Sequence, residues 1–224
     1  MMTDATTGAQ LVVFDLDGVI ARSDTMAALI QKRLLGHPLK AIAGVTPAAA
    51  WFLLRAIPSA RIRMSQALGR VALAGFDGAG YAKLAREVGG ALGRDPRWIL
   101  ADGRAAVLNH QALGDRVLIT TGTEAILARA FLDAIGLDEI ELIGTTVHFE
   151  NRRPLYEFHN LGANKVSSLR ERVGGARINL FYTDSNLDLP LARLSARTIL
   201  VNPDARLERI FRWGAGRVEV VRWD

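Results

Sequence analysis

Gln10-Leu-Val-Val-Phe-Asp-Leu-Asp-Gly18 is the stretch from which the fold is read. Its apolar run has strand length, and the Asp-Leu-Asp-Gly that follows stops it at a turn, so it reads as a buried strand with two carboxylates at its end. Downstream, from about Ser23 to Arg94, every long segment is helical in character. Met26-Ala-Ala-Leu-Ile30 with Leu34 and Leu35 makes one stripe, Pro47 and Pro58 punctuate two Ala/Leu/Ile-rich segments, and Tyr81 to Leu92 makes another. After Asp95-Pro96 strands and helices alternate. Strands are predicted at 116–120, 141–143, 146–149, 178–182 and 198–201, with a last one at 217–221. Helices are predicted at 97–113, 124–135, 165–173, 187–194 and 203–212. Arg152-Arg153 reads as a loop before Pro154. The alternation predicts an α/β fold, a Rossmann-like parallel sheet with helices on both faces, carrying an all-helical insertion after its first strand.

Composition bounds the chemistry. The 224 residues contain no cysteine, which excludes disulfide scaffolds, thiolate metal sites and thiol catalysis, and leaves carboxylate, hydroxyl, imidazole or amine chemistry. Half the residues are hydrophobic, enough for a real core. With 28 Lys+Arg against 23 Asp+Glu the net charge is +5, which suits anionic partners: phosphorylated metabolites, nucleic acid or a membrane surface. Met1 to Gln10 is polar, so no secretory leader is expected. The longest uncharged stretch, Ala41 to Leu54, falls short of the ~20 residues a spanning helix needs. A cytoplasmic protein is expected, soluble or peripheral at a membrane.

Four groups of residues follow predicted strand ends, where open parallel sheets bind ligands. Asp15 and Asp17 follow the first strand, Thr121 and Gly122 the second, and Asp184 and Asp188 the one at 178–182; Lys165 opens the helix just before that strand. The set has what magnesium-dependent phosphoryl transfer requires. One carboxylate can attack phosphorus, and a second can protonate the leaving oxygen and later activate water. Mg²⁺ needs only a few oxygen donors because it keeps several waters. A hydroxyl, backbone amides and a fixed cation can hold the phosphate oxygens.

Phe14-Asp-Leu-Asp-Gly18, Leu118-Ile-Thr-Thr-Gly122, Lys165 and Tyr182-Thr-Asp-Ser-Asn-Leu-Asp-Leu-Pro190 resemble the four motifs of the haloacid dehalogenase (HAD) superfamily of phosphatases. The insertion is similar to the helical cap of its phosphoserine-phosphatase-like branch. The resemblance implies a catalytic core of residues 1–22 and 95–224 and a cap of 23–94. It implies that Asp15 is the nucleophile and a metal ligand. Asp17 becomes the general acid/base, with its carbonyl on the metal. Thr121 and Gly122 bind phosphate, and Lys165 steadies nucleophile and phosphate. Asp184 becomes a direct Mg²⁺ ligand and Asp188 an outer acidic residue. Val19 and Thr183 depart from the usual Thr and Gly, and are read as changes of packing or turn geometry.

Leu34-Leu-Gly-His-Pro-Leu39 and Leu161-Gly-Ala-Asn-Lys165 also resemble segments of phosphatidylglycerophosphate phosphatases. A lipid phosphate headgroup, with peripheral membrane contact through the apolar 41–57 segment and its basic flanks (Lys32, Arg33, Lys40, Arg55, Arg61, Arg63), is therefore one expectation. A small soluble phosphomonoester, such as a phosphoserine-like compound or a sugar phosphate, is the second. A non-catalytic module that binds phosphate or membrane is the third. No nucleic acid is expected, because the basic residues are scattered and the four Trp are dispersed. His37, His110, His148 and His159 lack metal-ligand spacing and read as structural or surface residues, though His159-Asn160 could approach the site from its loop.

Overall fold

The computed structural model describes residues 9–36, 42 and 58–224, with side chains from Arg63 onward in the helix that opens at Pro58. The apolar run read at 41–57 lies, Ile42 apart, outside the described residues, as do His37, Lys40, Arg55 and the Arg61 side chain. Seven strands form one sheet: β1 Leu11–Phe14, β2 Arg116–Glu124, β3 Glu141–Glu150, β4 Arg153–Phe158, β5 Ile178–Thr183, β6 Ser195–Val201 and β7 Arg217–Val221. Their order is β4-β3-β2-β1-β5-β6-β7, and all neighbours run parallel except β3 and β4. Among the described residues these helices accompany them: α1 Thr25–Leu35, α2 Pro58–Leu73, α3 Gly78–Arg94, α4 Ala101–Ala112, α5 Ala125–Ala134, α6 Ala163–Val173, α7 Leu189–Ala192 and α8 Ala205–Gly214. Among the described residues no helix is long and apolar enough to cross a membrane.

β1 shows why the sheet needs two covers. Val12 and Phe14 join one core with Val107 of α4 and Phe131 and Leu132 of α5, while Leu11 and Val13 join another with Leu169, Leu191 and Phe211 of α6, α7 and α8. Period-2 alternation in a strand apolar on both sides leaves no face for water. A third cluster gathers Leu29, Leu73, Tyr81, Ala85 and Val88 from α1, α2 and α3 around Leu127 of α5. α3 lies almost backbone to backbone on α5: a Cβ at Gly89 would stand 2.5 Å from the Leu127 carbonyl, and one at Gly93 2.7 Å from the Phe131 carbonyl. The chain leaves and re-enters the sheet layer side by side, because Arg22 N–H donates to the Trp98 carbonyl and Leu100 N–H to the Ile20 carbonyl (both 2.9 Å).

The structure corrects four local expectations. Residues 141–143 and 146–149 belong to one strand, β3, parallel to β2 at its start and antiparallel to β4 at its end. Arg153 and Pro154 open a strand instead of lying in a loop. Pro154 is tolerated because β4 is an edge, and the Asn151-Arg152 turn has φ of 47° and 60°, the left-handed pair that two-residue hairpins favour. β2 runs past 120 to Glu124, with a register shift against β3. The helix expected at 187–194 is a 3₁₀ turn, 186–188, followed by the single turn of α7.

Candidate active site

β1 and β5 are neighbours, yet the chain proceeds from β1 toward β2 and from β5 toward β6, so the strand order reverses between them. A crevice opens at such a switch point. Asp15 and Asp17 follow β1 on one side of it, and Asp184 and Asp188 follow β5 on the other. Lys165, on the first turn of α6, reaches between them, and Gly122 and Thr123 close the β2 side. These residues share a cleft of about 560 Å³.

At its floor Lys165, 1% exposed, sits 3.0 Å from Asp15 Oδ1, donates to Asp188 Oδ2 (3.0 Å) and lies at ion-pair distance, 2.9 Å, from Asp188 Oδ1. Burial alone would pull its ammonium down, but Asp15 and Asp188 outweigh burial and hold it above an ordinary lysine. Burial pushes the Asp15 carboxyl well above its usual range; Lys165 opposes this, while Asp188 and Asp184 reinforce it. Asp17 accepts from the Thr25 amide (2.8 Å), the Thr25 hydroxyl (2.9 Å) and the Thr123 hydroxyl (2.7 Å). Burial, aided by Asp24, still raises it to about 6. Asp184 is raised to about 7 by burial and then by Asp188 and Asp17. Its carboxylate occupies the space a side chain at Gly18 would need: a Cβ there would lie 1.9 Å from Asp184 Oδ2, and Gly18 has φ +75°.

Four carboxylates thus meet one ammonium, an excess of negative charge in a poorly hydrated place. Among the described residues no three acidic or imidazole side chains converge as a ready metal cage. The donor set fits a hard divalent cation resting on two carboxylates, a backbone carbonyl and water.

Thr121 is fully buried below the cleft wall. Its hydroxyl lies 3.5 Å from Asp17 Oδ2 and accepts from the Thr123 amide (3.0 Å), so the half-buried Gly122 forms the edge, with the buried Thr123 beside it in the cleft lining. Val19 is buried in the core beside β1. Thr183 does more than shape the turn: its hydroxyl donates to Asp188 Oδ2 (2.8 Å) and accepts from the Ser185 amide (3.1 Å). Thr183→Val keeps the shape and removes both bonds. It is expected to cost about 1–3 kcal/mol in urea unfolding, with Thr183→Ser costing less.

Asn160 was legible only as a neighbour of Lys165. Fully buried, it donates to the Thr120 hydroxyl (2.9 Å) and to the carbonyls of Thr121 (3.1 Å) and Ile143 (3.0 Å), and accepts from Ser168 (2.8 Å). It ties together the ends of β2, β3 and α6, which carry the cleft. Thr25 and Thr123, which hold Asp17, were not found by sequence reasoning; their only signal is a hydroxyl beside each motif.

His159 lines the cleft as well, at the end of β4. Burial lowers its imidazole from 6.5 to about 4. Unfolded, it takes a proton near 6.5; folded, only near 4. Its contribution to stability is therefore present above the first value and lost as pH falls toward the second. Between pH 7 and 4 the wild type is expected to lose up to roughly 3 kcal/mol more than His159→Gln, read from urea midpoints at each pH. His110 is structural, between Asp115 (2.7 Å) and the Tyr182 hydroxyl (3.1 Å), and His148 lies exposed beside Glu150 and Glu157.

A doubly wound sheet whose switch-point cleft is lined by carboxylates, a buried lysine and a glycine edge defines an α/β core. The haloacid dehalogenase-like hydrolase family model matches residues 12–193, and the chain belongs to that family. A histidinol-phosphatase of Neisseria meningitidis serogroup C (strain 8013) is 30% identical over 118 residues, 47% of this chain and 52% of that protein. The match thus spans about half the length of that curated relative. A protein of unknown function from Bordetella pertussis Tohama I superposes with a TM-score of 0.69 at 21% identity, covering 94% of this chain and 98% of that one. A phosphoserine phosphohydrolase-like protein from Francisella tularensis subsp. tularensis SCHU S4 does so with a TM-score of 0.65 at 12% identity, covering 94% of each. At such identities the likeness is one of fold.

Proposed function

We propose that the chain is a Mg²⁺-dependent phosphomonoester hydrolase that works through an aspartyl-phosphate on Asp15. The observation that carries this reading is the meeting of Asp15, Asp17, Lys165, Asp184 and Asp188, from three separate chain segments, in one cleft. Lys165 fixes the Asp15 carboxylate from one side, leaving its other oxygen for phosphorus. That oxygen forms the new P–O bond as the ester P–O bond breaks, and the leaving oxygen takes a proton from Asp17. A carboxyl raised to about 6 can hold that proton near neutrality and later return to the base form. In the second half Asp17 accepts a proton from water, whose oxygen attacks phosphorus and frees Asp15. Gly122, with no side chain, exposes its amide to the phosphate oxygens, and Thr121 supports that edge from beneath. Asp15, Asp184 and the Asp17 carbonyl would hold Mg²⁺, which when bound neutralises phosphate charge.

Residues 23–94 act as the cap in this reading: α3 anchors it on α5, while Met26 of α1 and Ser65 of α2 face the cleft. Of the features that suggested a lipid headgroup, the apolar 41–57 segment lies, Ile42 apart, outside the described residues. The cleft carries Met26, Leu161, Leu187, Leu207 and Ile210 beside its hydroxyl, imidazole and carboxylate groups, and those polar groups favour a small water-soluble ester.

Phosphate release from a panel of soluble phosphomonoesters, and from phosphatidylglycerophosphate in mixed micelles, tests these readings together. Release from soluble esters is expected to fall at least about 100-fold when a chelator strips divalent cations, and to return with Mg²⁺. Undiminished turnover in chelator would overturn the cation's part, and preference for the micellar lipid would overturn the soluble substrate.

A further inference from the structure

Opposite the carboxylates, the cleft wall is built from two elements that come from different parts of the chain: α2 and the β3–β4 hairpin. Tyr156 of β4 presses its hydroxyl against α2 at Gly69, where a Cβ would stand 1.8 Å from it. Gln66, one helical turn back, donates its amide nitrogen to His159 Nδ1 (2.8 Å). An amide nitrogen can only donate, so the neutral ring carries its own proton on Nε2. Ser65 is the neighbour of Gln66 on the same helix, and Ser65, Tyr156 and His159 all line the cleft.

The Ser65 hydroxyl, the Tyr156 hydroxyl and His159 Nε2 have no hydrogen-bond partner among the described residues, and none of them is sealed from solvent. Polar groups at a narrow cleft wall lose free energy when water is displaced unless the incoming ligand bonds them. All three are uncharged near neutral pH: burial pushes the Tyr156 phenol up to about 12 and the His159 imidazole down to about 4.

Charge narrows the ligand further. Seven carboxylates and three cationic side chains line the cleft, so a second anionic group on the substrate meets a repulsive field. The three donors themselves carry no negative charge to pair with a cationic group. Of the carboxylates lining the cleft, Glu124 is engaged by the Tyr81 hydroxyl (2.7 Å) and the Ile126 and Leu127 amides, Asp24 and Asp204 each give one oxygen to cap α1 and α8, Asp17 is held by Thr25 and Thr123, Asp184 packs over Gly18, and Asp15 and Asp188 pair with Lys165.

We infer that Ser65, Tyr156 and His159 form the subsite for the alcohol portion of the ester, and that this alcohol is an uncharged polyol or sugar. The inference rests on the phosphatase reading above and gives it a substrate class.

The test compares kcat/KM for glycerol 2-phosphate and a hexose 6-phosphate with that for O-phosphoethanolamine, 3-phosphoglycerate and p-nitrophenyl phosphate. The polyol esters are expected to exceed the cationic and anionic ones by about tenfold or more. Tyr156→Phe and Ser65→Ala are each expected to lower the ratio of polyol ester to p-nitrophenyl phosphate by about three- to tenfold, chiefly through KM. Preference for a charged ester, or a ratio unmoved in both variants, would overturn the subsite. If the wild type turns over none of these esters, the phosphatase reading fails by itself. Calorimetry of glycerol 2-phosphate binding to Asp15→Asn, with and without Tyr156→Phe, then decides the subsite. Weaker binding with Phe supports it, and equal or undetectable binding overturns it.

Discussion

Asp15→Asn is expected to lower kcat for phosphate release by about 10⁴-fold or more, the scale seen when a nucleophile is removed, and to leave a folded protein. The fold survives because Asn fills the same space at the end of β1, and the backbone bond from the Asp15 amide to the Tyr182 carbonyl (2.9 Å) does not depend on the side chain. The change also takes a negative charge out of a crowded, buried cluster in which Asp188 and Asp184 already disfavour it. Lys165 keeps both oxygens of Asp188 as partners. The thermal midpoint of the cation-free variant is therefore expected to equal or exceed that of the wild type. Loss of activity together with loss of fold would instead mark Asp15 as a structural residue.

Lys165→Met tests the ion cluster from the other side. Methionine fills most of the space but removes the cation that lies between Asp15 and Asp188. Removing one partner of a buried pair leaves charge uncompensated and typically costs about 3–5 kcal/mol. A loss of that size in urea unfolding is expected, together with a fall in kcat of about 10²–10³-fold for the lost charge stabilisation. The double variant Lys165→Met with Asp188→Asn should recover a large share of the stability and none of the rate, because the unpaired carboxylate is relieved while the ammonium stays absent. A cost below about 1 kcal/mol for the single change would show that water reaches this floor and screens it.

Much of the site could be read from sequence because its residues sit at strand ends. β1 is apolar throughout and stops at Asp15, so strand, turn and carboxylates announce one another within nine residues. The same holds for β5 and Asp184. What escaped has no local signature. β4 begins Arg153-Pro154, and proline argues against a strand unless the strand is known to be an edge, which is a property of the whole sheet. β2 continues through Thr121, Gly122 and Thr123, where a glycine and two hydroxyls conceal its last turns of pleat. Thr25 and Thr123 meet over Asp17 from positions 98 residues apart. Asn160 spans three elements from inside a loop. Thr183 differs from the glycine usual at its position, and only coordinates reveal that its hydroxyl bonds Asp188. The apolar segment 41–57, weighed for membrane contact, lies outside the described residues, Ile42 apart.

Acid quench of the wild type during turnover of a soluble phosphomonoester with Mg²⁺, followed by peptide mass spectrometry, addresses the covalent intermediate directly. A base-labile phosphoryl group on the peptide containing Asp15, absent when the same experiment uses Asp15→Asn, is the outcome required by an aspartyl-phosphate. Steady phosphate release with no adduct on that peptide, and undiminished in Asp15→Asn, would contradict it.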